Sequence, residues 1–238
     1  MPVSGAMDVF SLELANLLVG NDPGDACLEA TISGPELEFT GATWIAITGA
    51  DIDPYLNGQG IPMNTAIDVR PGDRLVFRGL RSGCRAYIAF AGGIAVPPVM
   101  GSRSTYLRAG IGGFQGRAIM PGDNLPLGEP MGKPRLKRLP EGLIQEYKHE
   151  QTIRVLPDPE AHYFEMTGLR SFLSTEYTVT AQSDRMGYRL SGEPIRHKEG
   201  MANIISAGIS LGTVQVPGDG QPIILMADRQ TSGGYARI

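Results

Sequence analysis

Apolar positions recur at helical spacing in one clear stretch near the start of the chain, where Met7, Phe10, Leu14, Leu17 and Leu18 share a face between Ser4 and Gly20. The spacing predicts a helix with Ser4 or Asp8 as its cap and Gly20 with Asn21 at its end. After Pro23 the pattern shortens to alternating or continuous apolar runs, Leu28 to Ile32, Glu36 to Phe39, Trp44 to Thr48, Arg74 to Phe77 and Arg85 to Phe90, which predict strands. Thr152 to Leu156, Tyr177 to Ala181, Ile204 to Val216 and Ile223 to Ala227 predict more strands, and Glu160 to Ser174 has helical character around His162, Phe164, Leu169 and Phe172. Pro-Gly-Asp turns at Pro71, Pro121 and Pro217 punctuate these runs, because proline presets φ and glycine accepts a positive φ.

Between the two groups of strands, Pro126, Pro130, Pro134 and Pro140 alternate with Lys133, Arg135, Lys137 and Arg138, a composition that predicts a solvated linker. The expected organisation is therefore a β-rich half over 1–127, a linker region over 128–150 and a second β-rich half over 151–238. With 32 glycines and 18 prolines the chain favours many short strands and tight turns over long helices, so the expected class is mainly β with a few short helices. An apolar share of 42% against 19% charged supports a globular core, and no apolar run approaches the roughly 18 residues of a membrane helix. The start lacks the basic, apolar and small-residue succession of a secretory signal, which places the expected location in the cytoplasm. A net charge of -4 argues against nucleic acid as a partner. Cys27, Cys84, His149, His162 and His197 show no metal-ligand spacing, so no metal site is expected.

Candidate chemistry gathers in three polar clusters. The first, Gly101 to Arg117, reads GSRSTYLRAGIGGFQGR and is too polar and glycine-rich for a core. Such a loop can turn backbone N–H groups toward an anion while arginines supply forked hydrogen bonds, which makes Arg103, Ser104, Thr105 and Arg108 candidates for substrate or anion binding. The bland alternative is an irregular surface loop whose arginines pair with acids elsewhere. Its glycines miss the dinucleotide spacing GxGxxG, and no phosphate-binding GxxxxGK loop occurs in the chain. The second cluster, Ser183 to Gly192, contributes Arg185 and Tyr188, and the third, Gly212 to Tyr235, contributes Gln215, Asp228 and Gln230. No serine elbow or Ser/His/Asp set is present.

These clusters, together with SGAMD at Ser4 to Asp8, LANLLVGN at Leu14 to Asn21, TGAD at Thr48 to Asp51 and AYIAFAGGI at Ala86 to Ile94, resemble the 5-oxoprolinase C-subunit family, also called allophanate hydrolase subunit 2 or biotin-dependent carboxyltransferase-like. The motifs run in family order across nearly the whole chain. The resemblance implies a cyclophilin-like β-barrel architecture in two related halves, and a chain shortened at both ends, at MPVSGAMD and GGYARI. It also implies partners: a subunit 1 homologue (the 5-oxoprolinase B-subunit or allophanate hydrolase subunit 1) and, in the 5-oxoprolinase form, the A-subunit.

The activity implied is ATP-dependent opening of the 5-oxoproline lactam to glutamate, with ATP as cosubstrate of the complex because an unactivated amide is a poor electrophile. On this reading Arg103, Arg108 and Arg185 contact anions, Asp228 as candidate general base and Arg185 are the catalytic candidates, and Ser104, Thr105, Tyr188, Gln215 and Gln230 supply further contacts to a small amide substrate. One alternative is the carboxyltransferase part of a biotin-dependent urea or amide carboxylase. No Ala-Met-Lys-Met carrier segment occurs in the chain, so biotin would arrive on another segment or subunit. The other is a non-catalytic partner-binding protein that antagonises a kinase inhibitor.

Overall fold

Short apolar runs between turn residues fold as short strands. The computed structural model describes residues 4–134 and 137–238. Its elements are α1 (Val9–Val19), β1 (Leu28–Thr31), β2 (Leu37–Glu38), β3 (Thr43–Asp51), β4 (Pro54–Leu56), β5 (Gln59–Gly60), β6 (Ala66–Val69), β7 (Arg74–Phe77), β8 (Ser82–Phe90), α2 (Met166–Ser174), β9 (Tyr177–Val179), β10 (Gly187–Gly192), β11 (Asn203–Gly208), β12 (Val214–Gln215), β13 (Ile223–Leu225) and β14 (Ser232–Tyr235). Two 3-10 turns, Glu141–Leu143 and Pro159–Tyr163, add to these. The mainly β expectation holds, and the chain divides into an amino-terminal unit, Asp8–Gln151, and a carboxy-terminal unit of Thr152–Ile238 with residues 4–7.

Alternation along β3 and β8 builds the amino-terminal unit. Their antiparallel register sets Ile45 opposite Phe90 and Ile47 opposite Ile88 on one face, and Ala46 opposite Ala89 and Thr48 opposite Tyr87 on the other. The large residues join Phe39, Val69 and Leu75 in the main core, which draws on the β2-β7-β4-β5 sheet as well as on β1-β8-β3-β6. Burying each such side chain contributes about 1.5–3 kcal/mol. The small-residue face receives α1, whose Ser11 carbonyl accepts from the buried Thr48 hydroxyl at 2.6 Å.

That docking corrects the expected helix. Asp8, not Ser4, is its cap, accepting from Ser11 N, and Gly20 ends it with a left-handed φ of 80°. Ser11, Leu14, Ala15 and Leu18 are buried, whereas Phe10 and Leu17 of the expected stripe are exposed. Small side chains face the sheet because they let the helix backbone approach it.

Lys137 and Leu139, within the expected linker, pair with β6: Ala66 N donates to the Lys137 carbonyl, Leu139 N donates to the Asn64 carbonyl, and Leu139 is buried. Arg135 of the same basic run lies outside the described residues.

In the carboxy-terminal unit, the β12-β13-β10-β9 sheet and the β11-β14 pair are accompanied by a smaller core of Phe164, Ile195, Val216 and Ala236. Arg237 ties the end of the chain to the Pro159–Tyr163 turn through Glu160 at 2.5 and 2.9 Å. Thr152 to Leu156 does not form the expected strand. None of the backbone hydrogen bonds among the described residues involves it, and Ile153, Val155 and Leu156 are exposed. Ile204 to Val216 is interrupted by a turn at Gly212, giving β11 and β12.

Candidate functional site

The first polar cluster folds back on itself. Tyr106 pairs with Ile111, and the Gly116 N–H donates to the Gly112 carbonyl at 2.9 Å. The glycines permit close approach: a Cβ on Gly112 would sit 2.2 Å from the Ser104 carbonyl, one on Gly113 1.8 Å from Thr105 Oγ1, and one on Gly116 2.0 Å from the Gly110 carbonyl. Their role is thus internal packing, and the N–H groups of Tyr106, Gly110, Ile111, Gly116 and Arg117 are spent within the loop. Ser104 and Thr105 are half-buried, whereas Arg103 and Arg108 are exposed. Arg103 has no ion-pair partner among the described residues.

Arg117 closes this loop onto the Pro121 turn, making two 2.7 Å hydrogen bonds to Asp123. Those bonds, with a third from Met120 N, hold the Asp123 carboxyl down to about 2. A depressed carboxylate contributes stability above its unfolded pKa of about 4 and loses it as the pH falls through the folded value. Asp123→Asn is therefore expected to flatten the decline in urea midpoint between about pH 4 and pH 2. An unchanged acid limb in the variant would show that the pair adds nothing in solution.

In the carboxy-terminal unit the β10-β13 ladder continues past the strand ends. Met226 N donates to the Met186 carbonyl and Asp228 N to the Arg185 carbonyl. This register brings the two side chains together, with Arg185 Nε 3.0 Å from Asp228 Oδ2 and Nη2 3.1 Å from Oδ1. Asp228 is only 4% exposed. Arg185 Nη2 also donates to the Gly5 carbonyl. Both carboxylate oxygens thus serve the guanidinium, and the charge of Arg185 is compensated within the fold. Asp228, the candidate general base, and Arg185, the candidate anion contact, thus lie side by side as a bidentate ion pair, a proximity not expected from the sequence.

Gln215, on β12, is buried, and its Nε2 has no hydrogen-bond partner among the described residues. It lies beside β14, where a Cβ on Gly233 would come within 2.2 Å of that nitrogen. Tyr188 is half-buried on β10, across from Ile224, and Gln230 is exposed two residues beyond Asp228. The carboxy-terminal unit therefore holds Arg185, Tyr188, Gln215, Asp228 and Gln230, and the amino-terminal unit holds Arg103, Ser104, Thr105 and Arg108. Among the described residues no three His, Cys, Asp or Glu side chains gather as metal ligands, and no helix is long and apolar enough to cross a membrane.

One polar network has no counterpart among the clusters read from the sequence. In the amino-terminal unit Ser11 Oγ and Tyr147 Oη both donate to Asp8 Oδ2, at 2.7 and 3.0 Å, beside a shallow recess lined in part by Thr48, Asn64 and Leu143. Burial pushes the Tyr147 hydroxyl up to about 12, so it stays a proton donor to the carboxylate. No periodic signal marks Tyr147, which falls in the expected linker. Burial likewise pushes the Cys27 thiol up to about 12, which makes it an inert thiol rather than a nucleophile.

Comparison with known proteins places these features in a family. The chain is 41% identical over 234 residues to the 5-oxoprolinase C-subunit of Escherichia coli (strain K12), a match spanning 98% of this chain and 74% of that protein. It is 33% identical over 253 residues to the urea amidolyase of Saccharomyces cerevisiae, covering 99% of this chain and 14% of the larger one. The solved Kluyveromyces lactis urea carboxylase superposes with a TM-score of 0.89 at 31% identity, over 99% of this chain and 23% of that one. The carboxyltransferase domain, subdomain A and B, matches residues 1–238, and the chain belongs to that family.

Proposed function

We propose that this chain is the amide-binding subunit of an ATP-dependent 5-oxoprolinase that opens the 5-oxoproline lactam to glutamate. The unpaired amide of Gln215 carries the reading. A buried donor without a partner costs about 1–3 kcal/mol in the folded state, a cost that is offset when a ligand brings an acceptor. An amide carbonyl is such an acceptor, and polarising it favours attack at its carbon. Arg185, held by Asp228, supplies a second oriented donor group without net charge. Asp228 acts through Arg185 and is not assigned as the base. Tyr188 and Gln230 complete the proposed amide contacts of the carboxy-terminal unit, while Arg103 and Arg108, with Ser104 and Thr105, are separate candidates for anion contact on the amino-terminal unit.

ATP is the cosubstrate of the assembly and supplies the driving force for hydrolysis of an unactivated amide. Nucleotide binding is assigned to the partner proteins, a subunit 1 homologue and the A-subunit, in a cytoplasmic complex. A second reading, carboxyl transfer from carboxybiotin to urea or a related amide with release of biotin, is favoured by the likeness to urea carboxylase. A planar amide is the substrate class in both.

The test is glutamate release from 5-oxoproline by this chain mixed with its partner subunits, with and without ATP. ATP-dependent glutamate is the expected result. A complex that assembles but releases none, while moving the carboxyl group of a carboxybiotinylated carrier to urea, would replace this reading with the second.

A further inference from the structure

Residues 4–7 belong to the carboxy-terminal unit, although the helix that follows them belongs to the other. Because Asp8 caps that helix, Ser4 has no capping duty. Its backbone is left-handed, with φ 57°, and Gly5 follows at 98°. A serine in this region is strained where glycine would be free, so its side chain has to return something for its place. Among the described residues it returns nothing visible: Ser4 Oγ is buried and has no hydrogen-bond partner there. The next carbonyl, that of Gly5, accepts from Arg185 Nη2, which sets Ser4 one residue from the Arg185–Asp228 pair. A Cβ added to Gly5 would meet nothing within 4 Å, so there is space at this point of the backbone.

We infer that the Ser4 hydroxyl is a substrate-binding group of the carboxy-terminal unit, and that it bonds the lactam amide of 5-oxoproline. This inference rests on the 5-oxoprolinase reading. A hydroxyl can donate to the amide carbonyl or accept from the amide N–H, whichever edge is presented. The charge compensation of Arg185 by Asp228 makes the surroundings of Ser4 suit a neutral amide better than an anion. Ser4 therefore adds a contact that the polar clusters of the sequence did not include.

Ser4→Gly separates this role from a structural one, since it deletes the hydroxyl and relieves the left-handed strain together. In the assembled complex with ATP, the variant is expected to raise KM for 5-oxoproline about tenfold, the effect of one lost hydrogen bond, with kcat within about twofold of the parent. Its melting temperature should equal or exceed that of the parent. Ser4→Asn, which tolerates a left-handed φ and restores a hydrogen-bonding group, should recover part of the KM. An unchanged KM in Ser4→Gly overturns the inference and leaves the 5-oxoprolinase reading intact. A lower melting temperature with kcat falling at constant KM overturns it in favour of a structural serine. A parent complex that releases no glutamate overturns both.

Discussion

Arg185→Ala is expected to lower the unfolding free energy by about 3–5 kcal/mol, because it leaves a buried carboxylate without its counter-charge. Asp228→Ala should cost less, about 2–3 kcal/mol, since the Arg185 side chain is 22% exposed against 5% for Asp228 and can be relieved in part by water. The double variant Arg185→Met with Asp228→Leu removes both charges and should recover most of the stability. It should not recover activity if the pair orients substrate. Urea denaturation of the four proteins gives the comparison. Losses below about 1 kcal/mol in both single variants would mean that the pair behaves as a surface ion pair, and its positioning role would then be withdrawn.

Gln215→Leu should separate stability from function in the opposite direction. Replacing a buried, unpaired amide by an apolar side chain of similar size is expected to leave stability unchanged or raise it by about 1 kcal/mol. If the amide meets the substrate carbonyl, kcat/KM for glutamate release should fall by about 100-fold, the size expected for one donor to a polarised carbonyl. Stability and activity falling together would instead identify Gln215 as a packing residue beside Gly233. The two variants read different environments: Asp228 is satisfied within the fold, while Gln215 is not.

Much of the secondary structure was legible in the chain because it follows from short-range rules. β1, β2, β3, β7 and β8 sit on the expected apolar runs, α1 ends where Gly20 supplies its left-handed cap, and β4, β5 and β6 are short strands that no apolar run marked. Errors arose where a distant partner decides. Thr152 to Leu156 has strand-forming residues but gains no ladder partner among the described residues, and propensity without pairing makes no strand. Phe10 and Leu17 mark an apolar stripe by size, yet Ser11 and Ala15 occupy the buried face because the sheet below favours close approach.

The polar clusters were visible for a similar local reason: arginines, hydroxyls and glycines crowded together cannot form a core. Their roles were not visible. Arg185 and Asp228 are 43 residues apart, and only the antiparallel register of β10 and β13 turns two candidate catalytic groups into one compensated pair. The glycines after Ser104 read as an anion cradle, and the structure adds that Gly112, Gly113 and Gly116 sit where a Cβ would collide with the loop itself. Ser4 read as a helix cap because spacing cannot tell which of two nearby side chains reaches the first N–H groups.

Composition, turn chemistry and local periodicity were thus enough for the mainly β class, most strand positions and the residues from which a site is built. Tertiary structure alone decided which charges cancel, which glycines are steric necessities and which polar atoms remain unpaired. Each of those outcomes depends on a distance between groups far apart in the chain, and electrostatic and hydrogen-bond energies are set by that distance and by burial, neither of which a single residue carries with it.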